Sequence, residues 1–281
     1  MWSSSKGSWI RKVLLGIGIL VILVVIVQAL QRVPLTGDWQ EQLTTIATAQ
    51  FDGDMVTVKN VRNFRYDPTE ADMKPAYYDK TYDLTQIAKV WYVTEPFNEN
   101  KIAAHTFVSF EFTNGDFLSI SIEARKTKDQ HYSIWKGMLR TYPLVYIAAD
   151  ERDVILLRAN VRKDKVYVYP IKLEKPENAR ILLTDMLTRM NELVTTEPAW
   201  YNTLFANCTS VIATHVNAIT PGRISPFSWQ LWLTASADEL ALKHGLLDTD
   251  LPIEEARAKY YVTDISQRIG DVATYSRDIR Q

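Results

Sequence analysis

The amino terminus constrains this chain most, because it carries a long apolar run. Val13–Val27 contains fifteen residues without a polar side chain, and the run resumes after Gln28 and continues to Leu30. Eighteen helical residues at ~1.5 Å each span roughly 27 Å, which is enough to cross the hydrocarbon core of a bilayer. A transmembrane helix over residues 13–30 is therefore predicted.

Basic side chains predict the orientation of this helix. Lys6, Arg11 and Lys12 precede the apolar run, and none lies within it. Because positive charge is retained on the cytoplasmic side, residues 1–12 are expected in the cytoplasm and the rest of the chain on the other side.

A cleaved signal peptide is the alternative, since Val27-Gln28-Ala29 resembles a small-residue cleavage pattern. Both interpretations export residues 31–281. Cys208 is the only cysteine, so no disulfide can form within the chain. These features favour a bacterial inner-membrane protein, single-pass in the uncleaved case, with its bulk in the periplasm.

Charge and motifs exclude several functions. The chain has 32 Lys and Arg and 33 Asp and Glu, and three of the basic side chains lie in residues 1–30, so the exported part has 29 basic and 33 acidic residues. An acidic balance argues against a nucleic-acid partner. No dinucleotide, Walker or paired-cysteine motif occurs, and the four histidines lack metal-ligand spacing. We therefore expect no metal and no cofactor.

The remaining pattern predicts an α+β fold. Residues 31–50 are expected to form a linker that runs into a short helix, and residues 51–281 show no internal domain boundary. Alternating β-rich residues predict a strand at 54–66. Apolar residues at helical spacing predict a helix from Pro176 to about Val194.

A hairpin is the clearest element, with its turn at Asn114-Gly115. A two-residue loop would mix apolar and polar residues on each face. A three-residue loop, 114–116, instead pairs apolar residues throughout one face, which favours that register. On the other face, His105 would then lie opposite Arg125 and diagonal to Glu123. A carboxylate neighbour is what an imidazole needs to be oriented as a base.

The lone cysteine is predicted to open a helix. Asn207 is a candidate cap, and Pro221-Gly222 ends the apolar periodicity that follows Cys208. The first turn of a helix stabilises a thiolate, although a free cysteine is often simply a small buried residue. His215 would lie roughly 10 Å along the helix from the thiol, too far for proton transfer. His105 is the better candidate for the base.

Five stretches carry a resemblance to a known family. They are "PFNENKIAAHTFVSFEF", "LSISIEARK", "YIAADERDVILLR", "EPAWYNTLFANCTS" and "GLLDTDLPIEEARAKYYVTD". Together they resemble the periplasmic domain of the bacterial lipoprotein N-acyltransferase Lnb, over about residues 54–281. That domain is similar to thiol hydrolases and acyltransferases of the NlpC and lecithin:retinol acyltransferase types.

The resemblance implies a permuted papain-like (NlpC-type) domain with an antiparallel sheet and a nucleophile helix. In permuted members, a strand histidine and a polar residue on the next strand precede the cysteine. His105, Glu123 and Cys208 match that order.

The resemblance also implies acyl transfer through a thioester on Cys208, from a membrane lipid ester to an amine of a lipoprotein or peptide. Four further residues are expected near the substrate or the oxyanion, namely Asn207, Tyr201, Asn202 and Arg125. A cysteine amidase or endopeptidase acting on peptidoglycan, and a non-catalytic membrane-anchored binding protein, remain alternatives. The aromatic segment 225–233 is expected either at the membrane interface or in the core. The oligomeric state stays open.

Overall fold

The computed structural model describes residues 4–67, 69–97 and 102–281. The chain divides into two compact units between Pro34 and Leu35. The first contains helix α1, Ser4–Leu30. Within it, Ser8–Leu30 is long and apolar enough to cross a membrane by length and composition. The predicted apolar helix is therefore present.

The second unit contains, within the described ranges, an eight-stranded sheet and helices on both of its faces. The strands are β1 Thr48–Asp52, β2 Met55–Arg62, β3 Tyr77–Asp83, β4 Ile87–Pro96, β5 Ala104–Phe112, β6 Phe117–Ala124, β7 Leu144–Ala149 and β8 Tyr167–Pro170. The helices are α2 Ile134–Met138, α3 Glu151–Leu156, α4 Glu177–Thr195, α5 Cys208–Ile219, α6 Ala237–Lys243, α7 Ile253–Tyr260, α8 Thr263–Ile269 and α9 Tyr275–Asp278.

Strand order follows β1-β2-β7-β6-β5-β4-β8, and β3 pairs with β2. The ladders are antiparallel except where β2 meets β7 in parallel, at Arg62 and Ala149. The expected mixed α+β class is confirmed, with this parallel contact as an exception to an antiparallel sheet.

Alternation along the strands produces two cores. One face buries Val108, Phe110 and Ile120 against α4 and α5. The other face buries Phe107 and Val145 against α3 and the carboxyl-terminal helices. Because both faces are covered, strands that alternate polar and apolar residues are almost wholly buried here.

The hairpin register differs from the predicted one. Val108 pairs with Ile120 and Phe110 pairs with Leu118, so the three-residue loop is Thr113–Gly115 rather than 114–116. Gly115 has φ +85°, and the third loop residue of such a hairpin needs this left-handed conformation. Each residue of β5 pairs with a residue of β6 two positions earlier than predicted. Because side chains alternate between faces with a period of two, the apolar face is preserved. The expected placement of His105 opposite Arg125 is wrong, because this register aligns His105 with Glu123.

The helix expected in residues 31–50 is also wrong for most of its length. Glu41–Leu43 forms one 3₁₀ turn, and Thr48–Asp52 is strand β1, paired with β2. The side chain of Asn191 donates to the carbonyl of Ala49 at 2.7 Å and accepts from its N–H at 2.8 Å. Long-range bonds of this kind override local helix propensity.

Candidate active site

Cys208 is the first residue of α5, as the sequence predicts. The side chain of Asn207 accepts a hydrogen bond from the N–H of Ser210 at 2.9 Å, and the Ser210 hydroxyl accepts from the N–H of Asn207 at 3.0 Å. This capping box fixes where the helix begins. The buried thiol lies 3.9 Å from the carbonyl oxygen of Ala104 and 3.9 Å from Thr209 Oγ1.

The amide of Asn207 is committed to the fold. Its Nδ2 donates to the carbonyls of Thr203 at 2.8 Å and Leu231 at 2.7 Å, while its oxygen caps α5. The backbone N–H of Cys208 is instead the donor at this position that the helix leaves without an intrahelical acceptor.

His105, Ser121 and Glu123 form a hydrogen-bonded chain. The Ser121 hydroxyl donates to Glu123 Oε1 at 3.0 Å, and His105 Nε2 lies 2.8 Å from Ser121 Oγ. Since Ser121 has one hydrogen and gives it to the carboxylate, His105 Nε2 must be the donor in the second bond. This tautomer leaves the lone pair of Nδ1 free to accept a proton. His105 Nε2 and Glu123 Oε1 are 3.9 Å apart, so Ser121 bridges them.

Arg158 lies at the Glu123 end of this hydrogen-bonded chain. It lies in a π-helical turn, Leu157–Val161, that continues α3. Its Nε donates to Glu95 at 2.5 Å, and another guanidinium nitrogen lies 3.6 Å from Glu123 Oε1. The guanidinium also covers the ring of Phe107. Such π turns are rare and often occur at functional sites.

Burial and nearby charges give His105 and Glu123 different protonation states. Burial, with the positive charge of Arg158, lowers the pKa of His105 to about 4, against the opposing pull of Glu123 and Glu95. Burial opposes ionisation of Glu123, but the charges of His105, Arg158 and Arg62 outweigh it and lower its pKa to about 2. At neutral pH the imidazole is uncharged and the carboxylate is ionised, the states that a general base and its orienting group require.

The thiol is protonated at rest. Burial raises the pKa of Cys208, against hydrogen bonds from Thr106 and Thr209 that favour the thiolate. The pair is therefore neutral thiol and neutral imidazole, and the proton has to move during the reaction.

Cys208, His105 and Glu123 all line one cavity of about 790 Å³. Pairing of β5 with β6 ends at Phe107 and Ser121, although the strands extend to Ala104 and Ala124. The cavity is lined by residues of both diverging ends, together with Cys208.

The two halves of the candidate site lie on different faces of β5. His105 shares the α3 side with Phe107, whereas Thr106 bonds Thr209 of α5 at 3.1 Å. The structure thus brings His105 and Glu123 together and places Cys208 on the same cavity. The thiol is hydrogen-bonded to the carbonyl of the residue before His105 rather than to the imidazole.

The other predicted residues have separate positions. Tyr201 lines the cavity, and burial raises its pKa well above the ordinary tyrosine value. The Asn202 side chain donates to the carbonyl of Met138 at 3.1 Å and accepts from the N–H groups of Leu204 and Phe205 at 3.0 Å each, so it shapes the loop before α5.

Arg125 serves the fold. Its guanidinium donates to the carbonyls of Leu43 at 3.0 Å, Thr44 at 3.0 Å and Leu35 at 3.3 Å, and it covers the ring of Trp39. Burial lowers its pKa to about 10. The guanidinium that lies near Glu123 belongs to Arg158 instead.

Replacing Arg125 with methionine is therefore expected to destabilise the protein by about 2–4 kcal/mol, because buried carbonyls lose their donors. The midpoint of urea denaturation of the full chain in detergent measures this. Lys128→Met is the matched control, since the side chain of Lys128 forms an exposed ion pair with Asp38 and its loss should leave the midpoint unchanged. An unchanged midpoint for Arg125→Met would contradict the structural role.

His215 forms a separate cluster. Its Nε2 lies 2.6 Å from the hydroxyl of Tyr146 and its Nδ1 lies 2.6 Å from Asp185 Oδ2. Both ring nitrogens are thereby occupied. This agrees with the expectation that His215 is not the partner of Cys208.

Sequence reasoning missed Ser121 and Arg158. Ser121 occupies the same face as Glu123, two residues away, so the alternation was visible while the bridging bond was not. No sequence feature indicated that Arg158 would reach the site, because a π turn has no sequence signature in this stretch. Within residues 4–67, 69–97 and 102–281, no group of three or more His, Cys, Asp and Glu side chains is placed to hold a metal ion.

The fold and the site define a mixed α+β domain, following one apolar helix, that exposes a thiol, an imidazole and a carboxylate to one cavity. The family described as the Lnb N-terminal periplasmic domain matches residues 74–235. Because this match covers more than half of the chain, the chain belongs to that family. No match was found among curated proteins or among solved structures. A periplasmic domain after one apolar helix fits a single-pass membrane protein with its bulk in the periplasm.

Proposed function

We propose that this protein is an inner-membrane-anchored cysteine acyltransferase that moves a fatty acyl group from a lipid ester to an amine. The family resemblance supports a lipoprotein amino terminus as the acceptor. The observation that carries the proposal is the cavity lined by Cys208, His105 and Glu123, the last two joined by hydrogen bonds through Ser121. A permuted papain-like arrangement is part of the proposal, because it has the same order of strand histidine, strand carboxylate and helix cysteine.

In the first half-reaction, the Nδ1 of His105 accepts the proton of the Cys208 thiol as the sulfur attacks the ester carbonyl. The C–O bond of the ester then breaks, and the imidazolium returns its proton to the departing lipid alcohol. A thioester on Cys208 and a deacylated lipid result.

In the second half-reaction, an amine attacks the thioester carbonyl, His105 accepts a proton from the amine nitrogen, and the thiol leaves with that proton. The backbone N–H of Cys208, at the positive end of α5, stabilises the oxyanion in both halves. For this proton transfer the thiol of Cys208 and Nδ1 of His105 have to come within hydrogen-bond distance across the cavity that both residues line.

The lining of the cavity supports a lipid donor over a peptide donor. The charged side chains that line it are Arg62, Lys126, Arg158 and Arg162 with Glu70 and Glu95. The apolar side chains that line it include Ile102, Ile134, Trp135, Leu204, Trp232 and Leu233. An amphiphilic cavity matches a polar headgroup joined to an acyl chain.

A transfer assay tests the proposal. The full chain, reconstituted in vesicles that contain a phospholipid with a fluorescent acyl chain, is incubated with a short acceptor peptide that has a free or an acetylated amino terminus. We expect label on the free amine only. Cleavage of peptidoglycan stem peptides without acyl transfer would instead support the amidase alternative, and neither reaction would support the binding-protein alternative.

The Ser121 bridge makes its own prediction. Ser121→Ala should lower the rate of acyl transfer by about 10-fold or more, because the imidazole loses the bond that fixes its tautomer. Ser119→Ala is a matched control, since Ser119 is buried on the same strand and its hydroxyl has no hydrogen-bond partner among the residues that the structure describes. Equal rates for the two variants would contradict a bridging role.

A further inference from the structure

Exposed apolar side chains of the folded unit concentrate around the mouth of the candidate active-site cavity. Trp135 is 74% exposed, Phe205 is 72% exposed and Phe227 is 81% exposed. Trp135 and Trp232 line the cavity, and the ring of Phe205 lies against that of Trp232. Large exposed apolar side chains that gather at a cavity mark an interaction site.

This surface is assembled from separate parts of the chain. We call it the rim, and it comprises residue 102 and the segments 132–140, 203–205 and 227–233. Several exposed members contribute to it, including Ile102, Ile134, Leu139, Trp229 and Leu233. Segment 225–233 is therefore not an aromatic part of the core, although Leu231 within it is buried.

Hydrogen bonds tie the rim to the cysteine helix. The Thr203 hydroxyl donates to the carbonyl of Ile134 at 3.0 Å, and a Cβ added at Gly137 would overlap that hydroxyl. Asn207, the cap of α5, donates to the carbonyls of Thr203 and Leu231. The rim is therefore a packed surface whose position is fixed relative to Cys208.

The charge of the rim favours lipid as its occupant. Segments 132–140, 203–205 and 227–233 contain Lys136 and Arg140 and no acidic residue, whereas the exported chain as a whole is acidic. Tryptophan and phenylalanine with basic side chains are typical of surfaces that lie in the interface of a bilayer with anionic lipids. The folded unit also follows an apolar helix in the same chain, which gives a bilayer a high effective concentration.

We propose that the rim docks onto the lipid bilayer, so that the cavity mouth opens into the interface. A lipid ester can then enter the cavity without crossing water. Docking does not depend on the chemistry of Cys208, whereas delivery of the ester rests on the proposed function.

Single-cysteine labelling tests the docking, because Cys208 is the only cysteine. In the full chain with Cys208→Ala, Trp135→Cys and Phe227→Cys are each labelled with an environment-sensitive fluorophore. The proteins are reconstituted in vesicles of phosphatidylethanolamine and phosphatidylglycerol, with or without lipids that carry a shallow quenching group on the acyl chain. Ile181→Cys is the matched control, because Ile181 is 44% exposed on α4 and lies outside the rim.

Both rim labels are expected to lose roughly half or more of their emission to the quencher, since interfacial side chains lie about 5–10 Å deep in the bilayer. The Ile181 label should keep its emission. Lys136→Glu in the Phe227→Cys protein should reduce the quenching. Quenching of neither rim label, or equal quenching of the control label, would overturn the proposal. Quenched rim labels without acyl transfer by the unmodified chain would refute the proposed function and leave docking intact. Acyl transfer without quenching of the rim labels would refute docking and leave the proposed function intact.

Discussion

Replacing Cys208 with serine is expected to lower acyl transfer by at least about 10³-fold, because a hydroxyl is a much weaker nucleophile than a thiol beside the same base. The substitution keeps the size of the side chain and the capping box made by Asn207 and Ser210, so the fold should be retained. The rate of label transfer to an amine and the thermal unfolding midpoint measure the two effects. Full activity in Cys208→Ser would show that the thiol is not the nucleophile and has only a packing role.

Replacing His105 with glutamine is expected to lower the transfer rate by about 10²–10⁴-fold, the usual contribution of a general base. Glutamine can still bond Ser121, so the local packing should survive. His244→Gln is the matched control, since His244 lies at the end of α6 and does not line the cavity. An equal loss in both variants would contradict a specific role for His105.

The pH dependence of the unmodified protein gives an independent check on His105. A base works only when it is unprotonated, and burial lowers the pKa of His105 to about 4. The acid limb of kcat/KM should therefore lie near that pH, well below the value of 6.5 for a free histidine. An acid limb near 6.5 would mean that the titrating group is an exposed histidine or another residue.

Local signals predicted the local structure well. The spacing around Cys208, with Asn207 before it and Pro221-Gly222 after it, predicted a helix whose structure begins at Cys208 and ends at Ile219. Caps and breakers act within a few residues, so the sequence contains what is needed to recognise them. The same holds for the apolar face of the hairpin.

Long-range contacts could not be read in the same way. The hairpin register depended on which loop residue takes positive φ, and Gly115 rather than the pairing of apolar residues decided it. The bridge through Ser121 depends on that register. Arg125, two residues after Glu123 in the sequence, contacts Leu43 and Thr44 because residues 35–44 fold across it.

The candidate site was predicted in part. The predicted hairpin register, which was wrong, made His105 and Glu123 diagonal neighbours. They are still neighbours in the structure, because the observed register brings them closer together. The shared cavity arises where β5 and β6 diverge, a feature that strand patterns do not reveal. Arg158 enters through a π turn that periodicity cannot distinguish from an ordinary helix.

The most direct test of the central claim is intact-protein mass spectrometry of the full chain after incubation with a defined diacyl phospholipid. The account predicts a mass increase of one fatty-acyl group that hydroxylamine removes, that maps to Cys208, and that is absent from Cys208→Ala and strongly reduced in His105→Gln. An unmodified protein, with a thiol that iodoacetamide also leaves unmodified in the folded state, would contradict the thioester mechanism.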